Sequence, residues 1–198
     1  DVYRYEYEKY DVLSDLDMNM DDVMYVTHEM MDYLRGKGDT LSVMTTVEGQ
    51  EQDFFNEQDR FHMGEVRDLF IGGLNIRFGA CIAAVLCILF LIITRADIKK
   101  IIPRSYWIAL GITGTAVLFL GIAAVVDFDS VFVQFHHIFF DNDLWIFDPA
   151  EDYMIRMLPE GLFYDMVMRI GAVFVASLVV LLALSFIPKI LDRKKKLA

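Results

Sequence analysis

Cysteine is scarce in this sequence, and the scarcity narrows the possible classes of protein. The two cysteines, Cys81 and Cys87, both lie inside an apolar run, and the polar segments contain none. Six residues apart on a helix, the two side chains point in different directions, so we expect no disulfide bridge between them. The polar segments are therefore not a disulfide scaffold. Metal or redox roles for the two thiols are not expected.

Several motifs and one kind of charge are missing as well. The chain has no HExxH, no phosphate-binding glycine loop and no nucleophile elbow. Basic charge is sparse at the front, where residues 1–68 carry 18 acidic and 6 basic side chains, a net charge of −12. Residues 69–198 are nearly balanced, with 11 acidic and 12 basic side chains. Such an acidic front argues against nucleic acid as a partner.

Apolar residues are abundant instead. They make up 56% of the 198 residues, and the mean hydropathy is +0.39, which is too apolar for an ordinary soluble domain. Three apolar runs, 69–94, 106–126 and 168–187, are each long enough to cross a hydrocarbon core of about 30 Å. We therefore predict a membrane α-helical protein with three visible transmembrane helices. Arg77, inside the first run, is expected to snorkel outward.

The basic residues predict the orientation in the membrane. Residues 95–105 carry four lysines and arginines and residues 188–198 carry five, which predicts a cytoplasmic loop and a cytoplasmic tail. Residues 1–68 and 127–167 then lie outside as the first and second parts of an extracellular cap. The sequence does not begin with Met. Because its visible start is predicted to be outside, we expect one more helix ahead of it, four in all.

Local patterns predict the elements of the first part of the cap. Residues 3–7 alternate tyrosine with charged side chains, which favours a short strand. Asp21 or Asp22 is the expected N-cap of a helix that ends near Gly36. Residues 39–47 resemble a second short strand.

Two further helix starts are predicted. Asn56 is placed to cap a helix that begins near Glu57 and continues into the first apolar run. Asp148 is placed to cap another, with Pro149 at its first position.

Histidine occurs only four times. Glu65 follows His62 by one helical turn, so the carboxylate can hydrogen-bond the imidazole and hold its tautomer. His136 and His137 are adjacent among phenylalanines, and neighbouring residues on a helix point in different directions, so one can face a site while the other faces water. Composition does not choose between them. His28 adjoins an apolar helix face and is expected to be structural.

Three motifs together resemble the lipoprotein intramolecular transacylases of Gram-positive bacteria: FHHIFFDNDLWIFDP with LPEGLF downstream, FHMGEV, and THEMMDYLRG. The resemblance covers most of the chain, and the first motif is long and specific. It implies four membrane helices under an extracellular cap, with two catalytic histidines at the boundary between cap and membrane. Matched to the family motifs, these are His62 and His136, and His137 falls at a variable position.

The resemblance also implies an activity. The sn-2 acyl chain of a diacylglyceryl-cysteine moves to the α-amino group of the same cysteine, which gives a lyso-form lipoprotein. One histidine would take the proton of the amine, and the other would serve the leaving oxygen or the oxyanion. The implied enzyme is a multi-pass acyltransferase of the bacterial plasma membrane, active on its extracellular face. It acts as a monomer on a diacylated lipoprotein among membrane lipids, without cofactor or metal. The expected supporting residues are Glu65, Phe61, Phe135, Phe139, Phe140, Asn142 and Trp145.

Two other interpretations follow from the residues without the resemblance. A zinc-dependent membrane hydrolase could use His62, His136 and His137 with Glu65 or Asp141 as ligands. Alternatively, the chain is a non-catalytic extracellular sensor or scaffold on a membrane anchor, whose histidines only pack or titrate.

Overall fold

The structure is a computed structural model that describes residues 2–186. The last residue of the third predicted apolar run, Ile187, and the predicted cytoplasmic tail, 188–198, lie outside the described residues. Within the described part the regular secondary structure is helical apart from one β-hairpin. The elements in chain order are α1 (Val2–Lys9), α2 (Val12–Asp15), α3 (Met20–Leu34), β1 (Met44–Val47), β2 (Gln50–Asp53), α4 (Glu57–Ile93), α5 (Ile98–Val126), α6 (Phe128–Phe139), α7 (Tyr153–Met157) and α8 (Glu160–Ser185).

Three of the helices, α4, α5 and α8, are long and apolar enough to cross a membrane. The prediction of a membrane α-helical chain is therefore confirmed. Almost none of the side chains in their apolar windows is buried within the protein, which is expected where the surrounding solvent is hydrocarbon. Helix α4 runs without a break from polar residues into apolar ones, so its first turns are a rigid extension of the segment that begins at Leu69.

The described chain forms two compact units. The first comprises residues 1–79 and 132–163, and the second comprises residues 80–131 and 164–198, of which the structure describes those up to Phe186. In the second unit the Tyr106 hydroxyl donates to the Leu178 carbonyl, which joins α5 to α8. All four histidines belong to the first unit, so the description below concerns that unit.

The tyrosine-rich start is a helix, and the strand predicted over residues 3–7 is wrong. Tyr7 is fully buried, and its hydroxyl lies 2.6 Å from the Thr27 hydroxyl on α3. Tyr3 packs on Tyr7 at 6.1 Å between ring centroids, while Tyr5 between them is 55% exposed. Spacing of four residues therefore pairs the buried Tyr7 ring with the partly buried Tyr3 ring, and this helical contact outweighs the period of two in the sequence.

Helix α3 is present as predicted, but its cap differs. The side chain of Asn19 accepts from the backbone N–H of Asp22 at 2.9 Å, so Asn19 and not Asp21 or Asp22 is the N-cap. The two aspartates lie in the first turn, where the helix dipole favours negative charge. Gly36 follows the helix with φ +85°, which confirms its predicted role in ending α3.

The strand predicted over residues 39–47 is present over its last four residues, as β1. It pairs with β2 in an antiparallel hairpin, with Val47 opposite Gln50. The two residues at the turn, Glu48 and Gly49, both have positive φ angles, 50° and 74°, as a type I′ turn requires. The sequence lacked the apolar alternation that would have indicated β2.

The start of α4 is fixed as predicted. The side chain of Asn56 accepts from the Asp59 backbone N–H at 2.9 Å, and the Asp59 carboxylate accepts from the Asn56 backbone N–H at 3.0 Å. This is a reciprocal capping box. The Asn56 amide also donates to Asp152, which ties the start of α4 to the start of α7.

The predicted helix start at Asp148 is wrong. Residues 148–152 form a turn, in which the Asp152 N–H donates to the Asp148 carbonyl and the Asp148 N–H donates to the Asp152 carboxylate, at 2.9 and 2.7 Å. The helix begins instead at Tyr153. The Asn56 amide donates to the Asp152 carboxylate and so holds Asp152 in this turn. The two residues are far apart in the sequence.

Within the first unit, Arg156 on α7 joins residues 132–163 to residues 1–79. Its guanidinium donates to the Asp15 carboxylate at 2.9 Å and to the Glu48 carboxylate at 2.7 Å. The Arg156 side chain is only 16% exposed. One cation thus binds α2, the hairpin turn and α7 together.

Candidate active site

One face of α4 carries the first predicted histidine. Gln58, His62 and Glu65 are spaced by four and three residues, so they share that face. The capping box at Asn56 sets where the helix starts and so fixes this register. His62 is 6% exposed, although it precedes the apolar run.

The second predicted histidine, His136, lies near the end of α6 and is 7% exposed. Its Nδ1 lies 2.7 Å from the backbone carbonyl of Phe132. A carbonyl only accepts, so Nδ1 carries the hydrogen and Nε2 is left as an acceptor in the neutral ring. The adjacent His137 is exposed, so the structure distinguishes the two histidines that composition could not.

The structure brings His62 and His136 together from positions 74 residues apart. Their ring centroids are 5.9 Å apart, and the rings are inclined by 26°. The buried ring of Phe140 contacts both, at 4.9 Å from His62 and 5.4 Å from His136. Three further rings pack on the pair: Phe147 on His62 at 5.5 Å, Trp145 on His136 at 4.7 Å and Phe132 on His136 at 4.3 Å.

Burial keeps both imidazoles neutral near pH 7. Burial, with a smaller contribution from the nearby His136, lowers the pKa of His62 to about 4. Burial also lowers the pKa of His136, although the hydrogen bond to the Phe132 carbonyl opposes that shift. Both groups precede or lie outside the membrane-spanning part of the chain. The pair can therefore accept protons or donate neutral N–H groups.

Glu65 lies beside His62 but does not hydrogen-bond to it in this structure. The shortest approach, between His62 Nδ1 and Glu65 Oε2, is 4.0 Å. Both of these atoms are buried and have no hydrogen-bond partner. The other carboxylate oxygen accepts from the Asn142 amide at 2.8 Å. Asn142 therefore holds the carboxylate next to the imidazole, ready to meet a proton on Nδ1.

The remaining predicted site residues divide by exposure. Phe140 and Trp145 pack on the histidines, as given above. Phe61, Phe135 and Phe139 are 53%, 45% and 50% exposed. The centroid of the Phe135 ring lies 5.6 Å from that of His136 and 4.6 Å from that of Phe139. These three rings present apolar surface rather than a sealed wall.

Three residues that contact the histidines or the loop beside them were not among the predicted site residues. Phe132 could have been found, because it precedes His136 by one helical turn. Gln58 precedes His62 by the same spacing, but nothing in the sequence indicates what its amide binds. Phe147 reaches His62 only through the path of the loop after α6, which no local pattern shows.

His28 and His137 are not part of the buried histidine pair. His28 is exposed on α3, and His137 contacts only the edge of this site, with its ring 5.3 Å from Trp145. Within residues 2–186, no three histidine, cysteine, aspartate or glutamate side chains are grouped so that they could hold a metal ion.

Comparison with known families identifies the chain. The family model described as "Lipoprotein intramolecular transacylase Lit" matches residues 1–163, most of the sequence. The chain belongs to this family. It is thus a membrane-integral acyltransferase that moves the sn-2 acyl chain of a diacylglyceryl lipoprotein to the α-amino group of its N-terminal cysteine and gives the lyso form. The sensor and zinc-hydrolase interpretations are replaced by this assignment.

Solved structures of Lit from Bacillus cereus share the fold. One in meso structure has a TM-score of 0.69 at 22% identity, and the alignment covers 100% of this chain and 85% of that chain. A histidine-to-arginine variant has a TM-score of 0.72 at 19% identity, with 98% of this chain and 81% of that chain covered. A histidine-to-alanine variant has a TM-score of 0.64 at 20% identity, with 100% and 83% covered. Among curated proteins no match is found.

Proposed function

We propose that His62 and His136 are the catalytic pair of this transacylase. The observation that carries the proposal is the approach of their two buried rings to 5.9 Å from distant parts of the chain. A buried pair of neutral imidazoles, each with a different second contact, suits a reaction that needs a base and a separate N–H donor.

His136 is the base in this proposal. Its Nδ1–H donates to the Phe132 carbonyl, so Nε2 can take a proton while the ring stays in place. As the neutral α-amine attacks the ester carbonyl, a C–N bond forms and one amine proton passes to Nε2. When the tetrahedral intermediate collapses, the C–O bond breaks and the glyceryl oxygen takes that proton. Amine and ester belong to one molecule, so placement alone removes much of the barrier.

His62 is the N–H donor. With its pKa lowered to about 4, the ring stays neutral through the physiological range. A neutral imidazole can donate to the oxyanion without first needing a proton. Glu65, held by Asn142, lies 4.0 Å from Nδ1 and can stabilise positive charge that develops on this ring.

We further propose that the site faces the extracellular side and binds lipid. The charge pattern supports an outer cap formed by residues 1–68 and 127–167 and a cytoplasmic segment at 95–105. The half-exposed rings of Phe61, Phe135 and Phe139 supply surface for the acyl chains of the substrate and of neighbouring lipids. We also infer that the enzyme works as a monomer, since a single chain brings both histidines together.

Substitution of the histidines tests the proposal. His62→Ala and His136→Ala should each lower N-acylation of a diacylated lipoprotein by about 100-fold or more, the usual effect of removing a positioned acid or base. His28→Ala is the matched control, because it removes an exposed histidine from the same unit. The assay is mass spectrometry of the lipoprotein after incubation with purified enzyme in lipid nanodiscs. Near-normal product from either site variant contradicts the assignment.

A further inference from the structure

The loop that follows α6 runs along the same face of α4 that carries His62. We call residues 142–147 the tryptophan loop. At one end the Asn142 amide donates to Glu65 at 2.8 Å. At the other end the Phe147 ring packs on His62 at 5.5 Å. A third contact lies one turn before His62, at Gln58.

Gln58 binds the loop on both sides of Trp145. Its Nε2 donates to the Leu144 carbonyl at 3.1 Å and to the Ile146 carbonyl at 2.9 Å. Both partners are acceptors only, so both amide hydrogens are used and the amide orientation is fixed. The residue between them, Trp145, lies 4.7 Å from the His136 ring.

The Trp145 side chain depends on this backbone for its position. Its indole Nε1 is buried and has no hydrogen-bond partner, so no polar contact of its own orients the ring. The ring packs between His136 at 4.7 Å and His137 at 5.3 Å. Two contacts therefore hold His136: the Phe132 carbonyl accepts from its Nδ1–H, and the Trp145 ring packs against its imidazole.

We propose that Gln58 is a positioning residue for the transacylation, acting through the tryptophan loop. It keeps Trp145 on His136, and because it stands on the same rigid helix as His62, it relates the two imidazoles to each other. This inference rests on the catalytic role proposed for His62 and His136. Gln58 itself touches neither substrate nor histidine; its effect passes through the backbone of Leu144 and Ile146.

The test exploits the fact that Gln58 must donate twice. Gln58→Glu keeps the size but presents oxygens to two carbonyl oxygens, whereas Gln58→Lys retains several N–H donors. Gln52→Glu is the matched control, because the Gln52 amide donates to the Tyr153 hydroxyl at 3.2 Å, in the same unit, rather than to the tryptophan loop. The N-acylation rate and the emission of Trp145 are measured, with Trp107→Phe as background so that Trp145 is the sole tryptophan.

Gln58→Glu should lower the N-acylation rate by about 10- to 100-fold, the usual effect of misplacing a reacting group by about 1 Å. It should also make Trp145 more accessible to acrylamide quenching, with little change in melting temperature. Gln58→Lys should retain most of both properties, and Gln52→Glu should resemble the parent. If Gln58→Glu does not fold, Gln58→Asn, too short to reach both carbonyls, takes its place with the same expected result.

Three results overturn the inference: a normal rate or normal quenching in Gln58→Glu, an equal loss of rate in Gln52→Glu, or an equal loss in Gln58→Lys. Failure of the catalytic assignment is recognised separately. In that case His62→Ala and His136→Ala still form product, whereas the quenching of Trp145 in the Gln58 variants reports only on the loop.

Discussion

Two buried groups near the start of α4 should make opposite contributions to stability in acid. Burial lowers the pKa of His62 to about 4. Burial also raises the pKa of Asp59 to about 6, with the charge of Asp152 adding to the shift. Asp59 is fully buried, and its Oδ1 has no hydrogen-bond partner. Both residues precede the membrane-spanning part of α4, in the first two turns.

The signs follow from proton binding in the folded and unfolded chains. Between about pH 6.5 and 4 the unfolded chain binds a proton at His62 and the folded chain does not, so stability falls as the pH falls. Between about pH 6 and 4 the folded chain binds a proton at Asp59 and the unfolded chain does not, so stability rises as the pH falls. From pH 7 to pH 5, His62 should lower the free energy of unfolding by about 2 kcal/mol, and Asp59 should raise it by about 1 kcal/mol.

The expected result is that wild-type stability changes little over this range while the two variants diverge. His62→Gln should remove the acid loss, so its melting temperature at pH 5 relative to pH 7 should rise by about 4–8 °C against the wild type. Asp59→Asn should do the reverse, by about 2–4 °C. The assay is thermal unfolding in detergent at both pH values, with the exposed His28→Gln as control. If His62→Gln has the same pH dependence as the wild type, His62 is not held neutral by burial and the reasoning fails.

Two further outcomes follow from contacts described above. Arg156→Met should lower the free energy of unfolding by about 2 kcal/mol, because it leaves Asp15 and Glu48 without their shared cation; Arg4→Met, which removes an exposed pair, should cost about 0.5 kcal/mol or less. The logarithm of the N-acylation rate should rise with a slope near one between about pH 6.5 and pH 7, since the substrate amine, with a reference pKa of about 8, loses its proton there while burial holds the pKa of His136 below its ordinary value. A slope of two would mean that His136 is also protonated in this range.

The transmembrane architecture could be predicted from the sequence because it depends on long apolar runs, and hydrocarbon leaves no other spanning element for them. The helix start at Asn56 was also predictable, since a capping box is local. The errors have a common cause. Residues 3–7 became helical through the contact of Tyr7 with Thr27, and the start of α7 moved because Asn56 holds Asp152. Each depends on a partner that no local window contains.

The histidine pair could be predicted only in part, for a related reason. Matching the family motifs indicated His62 and His136 together, whereas spacing indicated only that Glu65 shares a helix face with His62. The structure places that carboxylate 4.0 Å from the imidazole, with Asn142 holding it. The aromatic contacts from Phe147 and Trp145 depend on where the tryptophan loop lies on α4, and this depends on hydrogen bonds to Gln58 across more than 80 residues.

The burial that suits these imidazoles to the proposed reaction also opposes folding in acid, and the structure indicates how this effect is offset. A histidine that is to donate a neutral N–H must be kept from protonating, and excluding water from His62 achieves this. The same exclusion opposes folding whenever the pH falls. Asp59, one turn earlier on the same helix, prefers its neutral form in the folded state and so favours folding under those conditions. Its buried, unpartnered Oδ1 is a defect at neutral pH, but it becomes a protonated and uncharged oxygen as the pH approaches 5. The first two turns of α4 therefore combine a group that loses stability in acid with one that gains it. Replacing both, in His62→Gln with Asp59→Asn, should restore a pH dependence close to that of the wild type.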